Sequence, residues 1–295
     1  MSEPTRPALR WHGGKWLLAP WIIRHMPEHR VYVEPFGGAA SVLLRKPRSY
    51  GEIYNDLDDD AVTLFRVLRD AGQAAQLINA LELTPFARAE FQTAYEPCTD
   101  PVERARRLIA RCFMGFGSNS HATAYKGATS TGFRSNSNRS GTTPAHDWRS
   151  YPDALRLIVE RLAGVVIENR DAFDIMVRHD GADTLHFVDP PYLHETRSIR
   201  KAGGGMRALY RHELSRSRHE DLLRLLRDLK GMVLLCGYPD DMYDAALADW
   251  RRVQTPALAD GARPRMEVLW ISPAAVAALE ADSARPGPLF AGVGA

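Results

Sequence analysis

The run Leu185-His186-Phe187-Val188-Asp189-Pro190-Pro191-Tyr192 narrows the folding choices of this chain more than any other segment. Apolar, aromatic and β-branched residues halted by proline read as a buried strand that empties into a turn, and α/β sheets place their ligands at such turns. Two adjacent prolines fix two φ angles and remove two N–H donors, so the turn offers a rigid row of carbonyl acceptors beside one carboxylate. Such a surface suits a substrate that donates hydrogens. The ring of Tyr192 adds a stacking face, and acceptors plus ring match a planar base with an exocyclic amino group. Asp189, Pro190, Pro191 and Tyr192 are therefore the candidate catalytic residues, although the run alone also reads as a proline-stopped strand with a core tyrosine.

Three further segments lie in a compatible order. Leu9 to Trp16 sets the pair Gly13-Gly14 between aromatic residues and Lys15. Val31-Tyr32-Val33-Glu34-Pro35-Phe36-Gly37-Gly38 is a short strand running into a glycine-rich turn, followed by a helix-like stretch from Ser41 to Arg45. Glycines there are expected to let a ligand approach the backbone closely. A second strand, Glu52-Ile53-Tyr54, leads to Asn55 and Asp56, and an acid at that distance from the turn is placed to accept from ribose hydroxyls. Taken alone, this strand-turn-helix with a downstream acid fits NAD as well as any other adenosine cofactor.

Together the segments resemble the Dam-type class of DNA adenine methyltransferases, over a stretch from about Leu9 to about Ser272. The resemblance implies S-adenosylmethionine as methyl donor, S-adenosylhomocysteine as product, no metal, and the 6-amino group of adenine in duplex DNA as acceptor. It implies that Trp11, Lys15, Asp56 and Asp189 contact the cofactor and that Glu34, Pro35, Phe36 and Gly37 wrap its amino-acid end. Asp171 and Phe173, which follow the strand Val165-Val166-Ile167, match positions that border the cofactor's adenine. Cys236, at the end of the strand Met232 to Leu235, stands where relatives often carry Ser or Asn.

Two stretches suit a polyanionic partner. Between Arg197 and His219 seven basic residues, among them Arg197, Arg200, Lys201 and Arg207, face a single acid, Glu213, and the segment contains Gly203-Gly204-Gly205. It directly follows the catalytic turn, where a DNA strand would pass, although a charge run by itself is usually a solvated loop. Gly115 to Ser150 is rich in Gly, Ser, Thr and Asn, with Arg134 and Arg139 as candidate base readers. The overall balance is nearly neutral, net charge +2, and the three cysteines have neither metal-ligand spacing nor even pairing. Without a long apolar run or a signal-peptide pattern, the chain is expected in the cytoplasm, and monomer and homodimer both stay open.

Strands alternating with helices imply a Rossmann-like α/β fold, with a mainly parallel sheet and helices on both faces. The catalytic domain is expected to be discontinuous, 1–70 and 163–280, with a mostly helical target-recognition domain inserted at 71–162 and a loose tail at 281–295. Within the insertion, Asp100-Pro101 reads as the cap and first turn of a helix reaching Met114, and Thr84-Pro85 as the opening of a short helix ending near Tyr95. Methyl transfer to RNA or protein, an NAD-dependent oxidoreductase and a catalytically idle DNA-binding module remain the competing functions.

Overall fold

The computed structural model describes residues 3–117, 132–135, 143–193, 212–259 and 263–284. Within them seven strands form one sheet: β1 (Val31–Glu34), β2 (Gly51–Asn55), β3 (Val165–Glu168), β4 (Thr184–Val188), β5 (Met232–Gly237), β6 (Arg251–Ala259) and β7 (Arg263–Ile271). Their spatial order is β3-β2-β1-β4-β5-β7-β6. The first five run parallel, whereas β7 is antiparallel to both β5 and β6. In register, Val31 lies beside Gly51 on one side and Thr184 on the other, so β1, β2 and β4 start level with one another.

Twelve helices lie among the described residues: α1 (Ala19–Ile23), α2 (Ser41–Arg45), α3 (Asp59–Arg69), α4 (Ala71–Leu83), α5 (Arg88–Thr93), α6 (Pro101–Met114), α7 (Pro144–Arg149), α8 (Tyr151–Leu162), α9 (Ala172–Arg178), α10 (Arg216–Asp228), α11 (Asp241–Ala246) and α12 (Pro273–Ala284). Local chemistry sets several of their starts. Asp58 accepts from the Asp60 and Ala61 amides at the head of α3, and Asp100 accepts from the Glu103 amide ahead of Pro101 in α6. Each side chain satisfies N–H groups that the first helical turn leaves without partners.

The pleat divides the central strands between two cores. Leu185 and Phe187 of β4 and Met232 and Leu234 of β5 face one core; Val188, Val233 and Leu235 face the other. On the first face Leu77 and Leu81 of α4, Ile109 of α6 and Leu155 and Ile158 of α8 join Tyr32 and Tyr54 in one continuous cluster. The helices of 71–162 thus bury their apolar stripes in the same core as the sheet. The second face is covered by Met176 of α9, Leu222, Leu223 and Leu226 of α10, and Tyr243 of α11. Buried charge pins α8 to this frame: Arg161 pairs with Glu52 of β2 at 2.7 Å, and Lys46 meets the same carboxylate at 2.9 Å.

Three local expectations are corrected. Thr84 closes α4 rather than opening a helix, its hydroxyl donating to the Ala80 carbonyl, and the next helix begins only at Arg88. Strand β6 was not anticipated. Residues 281–284, assigned to a loose tail, continue α12.

Candidate active site

Strand order reverses direction between β1 and β4, which opens a crevice beyond their carboxyl ends, the position where open α/β sheets hold ligands. A cavity of about 870 Å³, its open mouth included, lies there. It is lined by Trp11 to Lys15, by the turn after β1 from Glu34 to Ala39, by Asp56 to Asp58 after β2, and by Asp189 to Pro191 after β4. Segments far apart in sequence therefore meet at one place.

The turn after β1 is built by the protein's own aromatic rings. A Cβ on Gly37 would overlap the ring of Tyr54, and one on Gly38 would lie 2.9 Å from Trp11 Nε1. Gly38 also has a left-handed φ of +47°. Both glycines line the cavity, where a ligand is expected to approach them, and the rings of Tyr54 and Trp11 impose a second, internal requirement for glycine. Tyr54 donates its hydroxyl to the Gly38 carbonyl at 2.8 Å. Asn55, fully buried, donates to the carbonyls of Pro35 and Arg170 and accepts from the Arg170 amide, lacing together the turns that follow β1, β2 and β3.

Four carboxyl groups line the cavity: Asp58, which caps α3, and Glu34, Asp56 and Asp189, whose pKa values are raised. Glu34 is buried, and its Oε2 accepts from the Tyr32 hydroxyl at 2.8 Å and the Leu43 amide at 3.0 Å. Burial outweighs those bonds and pushes its pKa up to about 8. Asp56 accepts from the amides of Gly38 and Asp58, both at 2.7 Å, and burial raises it to about 6. Asp189 is raised by burial as well, against the pull of Lys15. The Lys15 ammonium stands 2.9 Å from Asp189 Oδ2 and 2.9 Å from the Gly13 carbonyl oxygen, while Asp189 Oδ1 is buried with no donor among the described residues.

Of the residues singled out from the sequence, Trp11, Lys15, Glu34, Pro35, Phe36, Gly37, Asp56, Asp189, Pro190 and Pro191 all line this cavity. Tyr192 lies behind it, buried, with the Lys15 ammonium 4.8 Å from its ring centroid. Asp171 and Phe173 flank the lining residue Ala172 but are otherwise engaged: Asp171 caps α9 and pairs with Arg218 at 2.9 Å, and that guanidinium sits 3.9 Å over the Phe173 ring. Arg134 is half-buried beside the bridge between Gly115 and Phe133. Arg139, Arg197, Arg200, Lys201 and Arg207 lie outside the described residues. Sequence reasoning missed Ser41, whose buried Oγ lines the cavity with no hydrogen-bond partner among the described residues. Its only signal was its place directly after the glycine-rich turn.

The family model described as D12 class N6 adenine-specific DNA methyltransferase matches residues 11–222, most of the chain. The chain belongs to that class. It is similar to DNA adenine methylases over shorter stretches: 35% identical over 112 residues to that of Salmonella typhi, covering 35% of this chain and 38% of the relative. To that of Escherichia coli K12 it is 27% identical over 202 residues, 64% of this chain and 66% of the relative. A Vibrio cholerae DNA adenine methylase is 40% identical over 73 residues, 24% and 26% of the two chains. The alignments thus span less than two thirds of these relatives' own lengths. The D12 match ends at residue 222, so β5, β6 and β7 lie beyond it.

Proposed function

We propose that this chain transfers a methyl group from S-adenosylmethionine to the 6-amino group of an adenine flipped out of duplex DNA. The observation that carries the reading is Asp189: one oxygen is fixed by Lys15, and the other is a buried acceptor without a donor among the described residues, at the wall of the cavity. An amino hydrogen of the base satisfies that acceptor, and the Pro190 carbonyl takes the second. With both hydrogens held, the nitrogen lone pair is directed out of the ring plane. That approach is blocked inside a stacked duplex, so the base has to leave the helix. Positive charge growing on the nitrogen then meets a carboxylate already in place, which favours the transition state over the ground state.

The residues present fit the donor. When bound, it supplies an electrophilic methyl group on a cationic sulfur. Asp56 and Asp189 give the cavity the acidic lining that a cation needs, Glu34 keeps its proton up to about pH 8 and serves as a wall of the turn, and the buried Ser41 Oγ offers a donor to the carboxylate of the cofactor's amino-acid end. Trp11, Phe36, Pro35 and Gly37 enclose that end, and Asp56 receives the ribose. Asp171 and Phe173 border the adenine of the cofactor once Arg218 moves off the Phe173 ring.

Within 71–162 we assign target recognition to the polar stretch beyond α6, with Arg134 and Arg139 as base readers. Arg197, Arg200, Lys201 and Arg207 bind phosphates. Purified protein given labelled S-adenosylmethionine with duplex DNA, RNA or protein tests the reading: label on duplex DNA adenine is expected, and label confined to RNA or protein would overturn it. Sequencing the DNA of a methylation-free host that expresses the chain gives the motif.

A further inference from the structure

Glu267 lies near the middle of β7, past the end of the D12 match. Its side chain is buried, and Oε2 accepts from the Tyr192 hydroxyl at 2.8 Å and from the Cys236 thiol at 3.5 Å. Among the described residues no ion pair reaches it. Burying a carboxyl group without a cation is costly, so this strand position is filled at the expense of stability that an apolar side chain would give. What the carboxylate holds is the ring at the end of the catalytic turn.

Tyr192 is clamped on three sides. Glu267 takes its hydroxyl, the ring of Tyr238 meets it edge-on with centroids 4.6 Å apart, and Lys15 Nζ stands 4.8 Å from its centroid. The same Lys15 ammonium pairs with Asp189. A shift of the ring would therefore displace the cation that fixes the reacting carboxylate.

We propose that Glu267 is a positioning residue for methyl transfer: by holding the Tyr192 hydroxyl from the antiparallel strand β7, it sets the place of the ring, of Lys15 and so of Asp189. This rests on the methyl-transfer reading above. Glu267 itself touches neither base nor donor in this scheme, and its influence passes through one phenol hydrogen bond.

Five proteins test it: wild type, E267A, E267Q, Y192F and the double variant Y192F/E267A, which closes a cycle. Loss of the bond in E267A or Y192F is expected to lower kcat for duplex DNA about tenfold, the equivalent of one ordinary buried hydrogen bond. Because Lys15 and Asp189 also line the donor's cavity, the calorimetric Kd for S-adenosylmethionine is expected to rise in E267A and Y192F and to return toward the wild-type value in E267Q together with kcat. The amide oxygen in E267Q still accepts from the phenol, so this variant should recover most of the lost kcat. The double variant should be no slower than the slower single. Circular dichroism and thermal melting identify a variant that fails to fold, and E267Q and Y192F carry the test if E267A does. A folded E267A or Y192F with wild-type kcat, or effects that multiply in the double variant, would overturn the inference while leaving the methyltransferase reading intact. A wild-type chain that transfers no label to DNA would overturn that reading, and this inference with it.

Discussion

Asp189 and Asp56 are both acids at strand ends, yet they differ in what their oxygens lack. Asp189 Oδ1 has no donor among the described residues, whereas both oxygens of Asp56 hold backbone amides of the turn. Asp189→Ala should accordingly abolish measurable methyl transfer in a protein that circular dichroism shows to be folded; transfer at a near-normal rate would falsify the proposed chemistry. Asp56→Ala should weaken S-adenosylmethionine binding by about 1.5–3 kcal/mol, the range for hydrogen bonds to a charged group. It should lower the melting temperature too, since the Gly38 and Asp58 amides lose their acceptor; unchanged calorimetric affinity would remove Asp56 from the site. Both positions were legible in the sequence, because a proline-stopped strand and a spaced acid are local signals. The bonding of Asp56 was not, because it depends on a turn eighteen residues upstream in the chain. Glu34 carries a pH consequence. Its pKa, raised by burial from 4.5 to about 8, means that the folded chain keeps a proton the unfolded chain has released across that window. Stability should therefore fall as pH rises through it, by at most about 1.4 kcal/mol per pH unit from this group. Denaturant midpoints of wild type and Glu34→Gln over the same window check this: the variant should show the smaller slope.

At the scale of elements, the parallel strands and the helices after them could be read from the sequence because each carries its own signal: alternating or continuous apolar runs, a cap such as Asp100, a breaker such as Pro190. Strand β6 could not. It reads Arg251-Arg252-Val253-Gln254-Thr255-Pro256-Ala257, with two arginines and a proline, and it survives as a strand because it is the sheet's edge, where proline costs no ladder bond on the outer side. The turn after β1 was legible as a turn but not in all its causes. Besides the ligand that glycine is expected to face, a Cβ on Gly37 would meet Tyr54 from the neighbouring strand, a constraint that only the parallel register creates. Gly37→Ala should thus destabilise the protein by about 1–3 kcal/mol through overpacking. A second substitution, Gly37→Ala/Tyr54→Leu, should recover part of that loss by vacating the space. Denaturant melts decide between packing and ligand access: if Gly37→Ala melts like wild type and loses only cofactor affinity, the ligand explanation is the right one.

Over the whole molecule the near balance of charge hides a separation of tasks. Arginines of the described helical layer are largely committed to structure: Arg104 pairs with Asp59 and Asp60, Arg106 with Glu90 and Glu103, Arg107 with Glu103, Arg111 with Asp60 and Arg161 with Glu52. Such cations are neutralised before DNA arrives and contribute little to its capture. The basic run proposed to bind phosphates, from Arg197 to Arg211, follows Asp189 and Tyr192 closely in the sequence. Neutralising Arg197, Arg200 and Lys201 should therefore weaken binding to every duplex alike and reduce the slope of log affinity against log salt by about one unit for each phosphate no longer neutralised. The methylated motif should not change. Substituting Arg134 or Arg139 should instead relax the motif, because removing a bidentate hydrogen bond to guanine costs about 1–3 kcal/mol of discrimination while leaving most phosphate interactions in place. Binding isotherms at several salt concentrations, paired with sequencing of the methylated sites for each variant, separate the two effects. A changed motif in the Arg197, Arg200 and Lys201 variant, with an even loss of affinity in the Arg134 and Arg139 variants, would mean that the loop after the catalytic turn reads the bases and the polar stretch holds the backbone.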